Sequence, residues 1–396
     1  MNISSRSLSL ANTRDKANVG IYIHIPFCRQ RCNYCDFYSS ASLQGKTQMI
    51  RALLHEMDIR KDYLSSFSLS AATHTLYFGG GTPSVLTAEE IALLIHKAKE
   101  IAGVNSFDEL TFEANPDDLT PVYLAQLATL GINRLSIGIQ SFYNAHLQWM
   151  RRRHNAQEAI DCVKNAQREG FNNITIDLMY ALPMLTCEEW RNNIEQAMAL
   201  NVPHISAYHL SIEPATLLGK QEQKGVVAKQ SEQAGVEQFH LLRDLLSKAG
   251  YEHYEVSNFA RQNLRALHNS AYWRQQPYLG VGPSAHSFDG QSRQWNIANN
   301  IRYLHALENG NVFFEREVLT ANMRYNEYLL TTLRTAVGAD LEAIGSLFGE
   351  DKKKYCLQQS QKFIQVGKLQ LSESNLKIPP EHFFISDGII EALFVE

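Results

Sequence analysis

A chain of 396 residues, 44% hydrophobic and 20% charged, has the proportions of a globular protein with room for one large core and a smaller domain. Its net charge of −4 argues against a general nucleic-acid surface and against strong attraction to anionic lipid, so nucleic acid is not an expected partner. No run approaches the roughly 18 apolar residues that a membrane-spanning helix requires.

Residues 1–18 lack the apolar stretch of a secretory signal and are Ser-rich, with Arg6, Arg14 and Lys16 against Asp15 alone. They read as an unordered tail, with a weak organelle transit peptide as the alternative. A strand is expected at 19–25, running into Cys28-Arg29-Gln30-Arg31-Cys32-Asn33-Tyr34-Cys35. A helix follows, with Ile50, Leu53, Leu54, Met57 and Leu64 on roughly one face. The second strand, 74–78, leads into Gly79-Gly80-Gly81-Thr82-Pro83, and Thr87 with Glu90 forms a capping-box pattern that opens the next helix. The third strand is expected at 110–113, with Thr120-Pro121 starting a helix, and the fourth at 134–140, with a helix over 156–169. Strand five (174–179) precedes a second capping box at Thr186 and Glu189, and strand six (204–210) precedes a helix across 231–249.

Six strand–helix units in series imply an α/β fold with a parallel sheet, a partial (β/α)6 barrel. Active sites in such folds gather at the C-terminal ends of the strands, where the cysteines, the glycine run, Glu113, Gln140 and Asp177 all fall. After residue 262 the alternation ends. Aromatic-rich loops are expected to about 315, then helices near 322–337, 340–348 and 352–366, strand-like runs at 368–372 and 375–378, and a last helix near 381–394. Helices followed by a small hairpin suggest a winged-helix-like module. The expected partition is a tail (1–18), a barrel (19–262) and a C-terminal region (263–396).

Three thiolates on one short loop can hold three irons of a [4Fe–4S] cluster and leave the fourth iron open to a small chelating molecule. A structural zinc site needs a closed set of four ligands, and no fourth Cys or paired His lies nearby. His24, on the strand before the loop, reads as a packed side chain. A disulfide framework does not fit the scattered Cys162, Cys187 and Cys356, and free cysteines suit a reducing cytoplasm. Glycines at 79–81 permit close approach of backbone to a ligand. Glu113 can hydrogen-bond a ribose or an ammonium, Tyr34 can stack on adenine, and Tyr22 either directs its hydroxyl at the open iron's ligand or packs in the core. Taken singly, Glu113, Gln140, Arg152 and Asp177 are ordinary strand-end polar groups. His268, in His268-Asn269-Ser270-Ala271-Tyr272-Trp273, has the surroundings of an axial haem ligand, although a lone His among aromatics is more often structural.

The linked motifs Tyr-Ile-His-Ile-Pro-Phe-Cys, Cys-Asn-Tyr-Cys-Asp-Phe, Gly-Gly-Gly-Thr-Pro-Ser, Phe-Glu-Ala-Asn-Pro, Ile-Asp-Leu-Met-Tyr-Ala-Leu-Pro and His-Asn-Ser-Ala-Tyr-Trp occur in an order that resembles the HemN-like radical S-adenosylmethionine (SAM) family, on its HemW branch of haem chaperones. The resemblance covers about residues 19–390. It implies cluster ligation by Cys28, Cys32 and Cys35, and a SAM site from Tyr22, Tyr34, Gly80, Gly81, Thr82 and Glu113. It implies a second SAM position at Gln140, Arg152 and Asp177, and a haem-binding role for His268. The dehydrogenase relatives carry a fourth cysteine two residues after the last, where this chain has Phe37, and a longer segment before the cysteines. Both features point to the chaperone branch. The family usually has Gly before Leu-Pro, where this chain has Ala181.

The resemblance therefore implies a protein that binds haem, uses the cluster and SAM for homodimerisation or activation, and delivers haem to membrane respiratory proteins. An oxygen-independent coproporphyrinogen III dehydrogenase and a HemN-like methyltransferase are the competing enzyme readings. In those, the bound cofactor carries the difficult chemistry and the protein positions it.

Overall fold

The computed structural model describes residues 18–64, 73–261 and 263–396; the expected N-terminal tail lies almost wholly outside them. Strand β1 (Asn18–Ile25) is followed by α1 (Lys46–Ile59), β2 (Thr73–Gly80), α2 (Ala88–Ala102), β3 (Glu109–Ala114), α3 (Pro121–Thr129) and β4 (Arg134–Gln140). Then come α4 (Asn144–Trp149), α5 (Ala156–Arg168), β5 (Ile174–Tyr180), α6 (Cys187–Ala199), β6 (His204–His209), α7 (Leu217–Gln223) and α8 (Glu232–Lys248). Strands β1 to β6 pair in sequence order and all in parallel. Their near-continuous burial is that of strands covered by helices on one face and by the barrel interior on the other.

Local chemistry explains the helix starts. Thr87 accepts from the Glu90 amide while Glu90 reaches back to the Thr87 amide, and Thr186 with Glu189 repeats the arrangement. Thr120 caps α3, and Pro121 takes the first helical position, where an absent N–H costs nothing.

The region after 262 departs from the expectation of loops. Strands β7 (Glu252–Glu255) and β8 (Asn258–Ala260) come just before it, and it contains α9 (Leu267–Trp273), β9 (Tyr278–Val281), β10 (His286–Phe288), β11 (Ser292–Asn296), α10 (Asn300–Glu308) and β12 (Phe314–Val318). Among the described residues, twelve strands form one sheet in the order β12-β11-β10-β9-β1-β2-β3-β4-β5-β6-β8-β7. These added strands are three to five residues long and pair mostly with each other and with distant strands, β9 lying parallel to β1. Such short strands carry too few positions to show a period of two, and their partners are set by tertiary structure.

Buried Glu56 of α1 fastens this extension to the barrel. It accepts from the Gly282 amide (2.7 Å), from Asn296 Nδ2 (2.7 Å) and from the Tyr303 hydroxyl, and it pairs with Arg60. The C-terminal part contains α11 (Ala321–Thr332), β13 (Ala339–Asp340), α12 (Leu341–Phe348), α13 (Glu350–Gln365), β14 (Gln370–Ser372), β15 (Asn375–Lys377) and α14 (Ser386–Glu391). Helices followed by a small antiparallel sheet, in the order β13-β15-β14, give the winged-helix-like arrangement. The last expected helix, 381–394, is instead a 3₁₀ turn over Pro380–Ile385 and the short α14. One contiguous set of buried apolar side chains runs from Val19 in the barrel to Leu393. Among the described residues, no helix is long and apolar enough to cross a membrane.

Candidate cofactor site

A cavity of about 530 Å³ opens at the C-terminal ends of the strands. Cys28, Cys32, Cys35, Tyr22, Tyr34, Gly80, Gly81, Thr82, Glu113, Gln140, Arg152 and Asp177 all line it. Every site residue named from the sequence is therefore brought to one place, except His268.

The cysteine loop is tied down at both ends and in its middle. Cys28 N donates to Ser40 O and Ser40 N to Pro26 O, both at 2.9 Å. Asn33 Nδ2 donates to Trp149 O (2.7 Å), and Gln30 Nε2 to Arg151 O (2.8 Å). Thr82 Oγ1 donates to Cys28 Sγ (3.3 Å), and Arg152 Nη1 to Cys32 Sγ (3.4 Å), so donors already face two of the sulfurs. Among the described residues, no three His, Cys, Asp or Glu side chains are close enough to hold a single metal ion. Three thiols spread round one cavity instead suit a polynuclear cluster, and the residues present fit one. His24 is buried, with Nε2 2.9 Å from Tyr38 O, and is a packed side chain as expected.

The glycine run works chiefly through close packing. A Cβ on Gly80 (φ 109°) would stand 2.6 Å from the His24 ring, and one on Gly81 would stand 2.6 Å from Phe27 O. The Gly81 amide donates to Ile25 O (2.9 Å) and the Gly80 amide to Glu113, so both are held within the protein.

Glu113 accepts from the Tyr77 hydroxyl at 2.7 Å. Burial, reinforced by the charge of Asp177, pushes its carboxyl up to about 7. Burial likewise raises Asp177 to about 6, although hydroxyls of Ser206 and Ser136 and the charges of Arg134 and Arg152 favour its ionised form. Two half-buried carboxylates facing one cavity form a pocket suited to a cationic ligand. Arg152 donates to Asn115 Oδ1 (2.6 Å) and Gly138 O (2.5 Å). Gln140 sits at φ 70°, an unusual backbone conformation for a non-glycine residue, and its buried Oε1 has no hydrogen-bond partner. Tyr22 lines the cavity, with its hydroxyl 3.2 Å from His24 Nδ1. Phe37 stands at the mouth, 72% exposed.

His268 lies at the opposite end of the barrel. It is 1% exposed, and both ring nitrogens have partners, Nδ1 with Thr75 Oγ1 (2.8 Å) and Nε2 with the Tyr272 hydroxyl (2.6 Å). No lone pair is presented to a haem iron in this conformation, so the residue does not fit the expected role of axial ligand.

Sequence reasoning missed Tyr77, Asn115, Ser206 and Tyr208, which complete the cavity's polar wall or hold its members. The period of two along β2 places Thr75, Tyr77 and Gly79 on one inward face, a signal from which Tyr77 could have been found.

The model of the Radical SAM superfamily matches residues 22–197. The chain is 32% identical over 375 residues to "Heme chaperone HemW" of Lactococcus lactis, covering 95% of this chain and 97% of that one. It is 29% identical over 381 residues to "Heme chaperone HemW" of Bacillus subtilis, covering 95% and 99%. The structure of coproporphyrinogen III oxidase (HemN) from Escherichia coli, a radical SAM enzyme, superposes with a TM-score of 0.82 at 22% identity, over 96% of this chain and 91% of that one, which establishes a shared fold. With its three-cysteine loop, its parallel barrel and near full-length similarity at about a third identity, the chain belongs to the HemW family of radical SAM proteins.

Proposed function

We propose that this protein is a haem chaperone, which binds haem and passes it to haem-requiring acceptors, including membrane respiratory proteins. The observation that carries the reading is the 32% identity with a curated haem chaperone over 95% of the chain. Phe37 supports it. The position where the dehydrogenase branch carries a further thiol holds a side chain that is 72% exposed and cannot ligate metal.

Cys28, Cys32 and Cys35 would hold three irons of a [4Fe–4S] cluster, leaving the fourth for the amine and carboxylate of SAM. When bound, the reduced cluster supplies an electron to the SAM sulfonium. The chain's own residues bind and orient. Thr82 and Arg152 direct hydrogen bonds at Cys28 and Cys32 and so orient the two sulfurs. Glu113, held by Tyr77 and the Gly80 amide, would accept from an ammonium or ribose of SAM. Tyr22 and Tyr34 would flank the adenosyl or methionyl part from the wall. Gln140 and Asp177, with Arg152 beneath, would receive a second SAM, and the unpartnered Gln140 Oε1 supports a ligand at that end. The division into a barrel to 262 and a C-terminal region beyond it, a cytoplasmic location and a homodimeric active form belong to the same proposal.

The test is an anaerobic preparation with reconstituted cluster, titrated with haem and assayed in parallel with coproporphyrinogen III, SAM and a reductant. Stoichiometric haem uptake with no protoporphyrinogen is the expected result. Turnover to protoporphyrinogen without stable haem binding would replace the proposal with the dehydrogenase reading.

A further inference from the structure

The buried side chains beneath the cofactor cavity form a connected stack. Helix α9 closes the N-terminal end of the barrel. The Glu109 carboxylate, at the start of β3, accepts from the Leu267 amide (2.7 Å) and the His268 amide (2.9 Å), so it caps α9 and fixes its entry. The His268 ring then projects into the barrel against Gly20, where a Cβ would stand 3.0 Å from Cε1. Thr75 Oγ1 on β2 and the Tyr272 hydroxyl one turn along α9 hold its two nitrogens. A neutral imidazole has one donor and one acceptor, and two hydroxyls can satisfy both. Burial and the nearby Arg134 lower its basicity to about 3, consistent with a ring that stays neutral.

Above His268 lies Tyr77, its ring stacked at 5.1 Å between centroids and 30° between planes. The Tyr77 hydroxyl donates to Glu113 Oε1, whose side chain lines the cavity. Tyr22, on the cavity wall, packs against the same ring at 5.9 Å. The ring of His268 is therefore the support on which Tyr77 rests, and Tyr77 in turn fixes the orientation of a cavity carboxylate.

We infer that His268 is a positioning residue for the cofactor cavity, setting Glu113 through Tyr77 from below, and does not ligate haem iron. The inference rests on the reading of the cavity as a SAM site. It gives the His-Asn-x-x-Tyr-Trp motif a physical role, in which His268 and Tyr272 act as a hydrogen-bonded pair in the barrel floor.

The experiment compares wild type with His268→Gln, His268→Ala and Tyr77→Phe in the full-length, cluster-reconstituted protein, measuring SAM affinity by calorimetry and the haem complex by absorption and electron paramagnetic resonance. His268→Ala is expected to weaken SAM binding about tenfold, the scale of one lost hydrogen bond to a charged group. Tyr77→Phe should act in the same direction, because Glu113 loses its hydroxyl donor and keeps only the Gly80 amide. His268→Gln, which keeps one donor and one acceptor, should recover most of the affinity. The Soret maximum and the resonance signal of bound haem should match wild type in all three. A changed haem spectrum in both His268 variants, with SAM affinity intact, would overturn the inference and make His268 the iron ligand. Should His268→Ala fail to fold, the glutamine and phenylalanine variants still decide it: unchanged SAM affinity in Tyr77→Phe overturns it. Should wild type take up no haem, the chaperone proposal fails while the SAM measurements still test the positioning role.

Discussion

The two ends of the barrel bury the same kinds of side chain and treat them differently. At the floor, His268 and His204 each have both ring nitrogens hydrogen-bonded, the latter to Thr175 (3.1 Å) and Tyr254 (2.8 Å). Arg134 faces Glu109 at 3.8 Å and donates to Thr175. At the mouth, Gln140 leaves a buried acceptor without a partner, two carboxylates are held far above their usual range, and Gln140 and Ala181 adopt positive φ. A buried polar group whose partners lie within the protein consolidates the fold. One that lacks a partner and also lines the cavity, as Gln140 does, marks where a ligand can supply it. On this contrast, floor substitutions should lower stability, whereas mouth substitutions should alter ligand binding and can raise stability.

The largest stability effect is expected from Glu109→Gln. It leaves the buried Arg134 without a carboxylate and removes one acceptor lone-pair set from the start of α9, so the loss should be about 3–5 kcal/mol in a denaturant titration. A loss below about 1 kcal/mol would erase the distinction between floor and mouth.

Glu113→Gln should act in the opposite sense. The folded protein holds the Glu113 proton more tightly than the unfolded chain does, with a value of about 7 against the ordinary 4.5. Stability without ligand therefore falls as pH rises through this window, because the unfolded state ionises first. The variant should be more stable than wild type by about 1–2 kcal/mol at pH 8, a figure reduced because the carboxyl faces an open cavity, and equal to it near pH 4.5. SAM binding should weaken in the same variant. Thermal melts across pH 4.5 to 8 would show the divergence, and parallel curves would refute it.

The smallest effect sharpens the view of the mouth as a strained region. Ala181 sits at φ 59°, where its Cβ is disfavoured, and its amide donates to Gln238 Oε1 (2.8 Å). Ala181→Gly should relieve that strain and stabilise by about 0.5–1 kcal/mol, offset in part by the greater freedom of glycine in the unfolded chain. A destabilised variant would mean that burial of the methyl outweighs the strain.

The sequence by itself determined the six strand–helix units, because each carries its own signal. Capping residues, helical apolar faces and short β runs are local, so Arg134–Gln140 and the start of α6 are legible without a partner in view. It also determined the cysteine loop, because Cys28, Cys32 and Cys35 lie within eight residues of one another along the chain. Only the tertiary structure decided the strands after residue 262, whose pairing with β1 and with each other is non-local. Only the tertiary structure, too, decided the place of His268. A histidine among aromatics has the same local pattern whether it faces a ligand or a floor. Thr75, Gly20 and Glu109, far away in sequence, take up one of its nitrogens, accommodate its ring and cap its helix. Covalent neighbours cannot specify that environment, because it arises from three strands closing around one short helix.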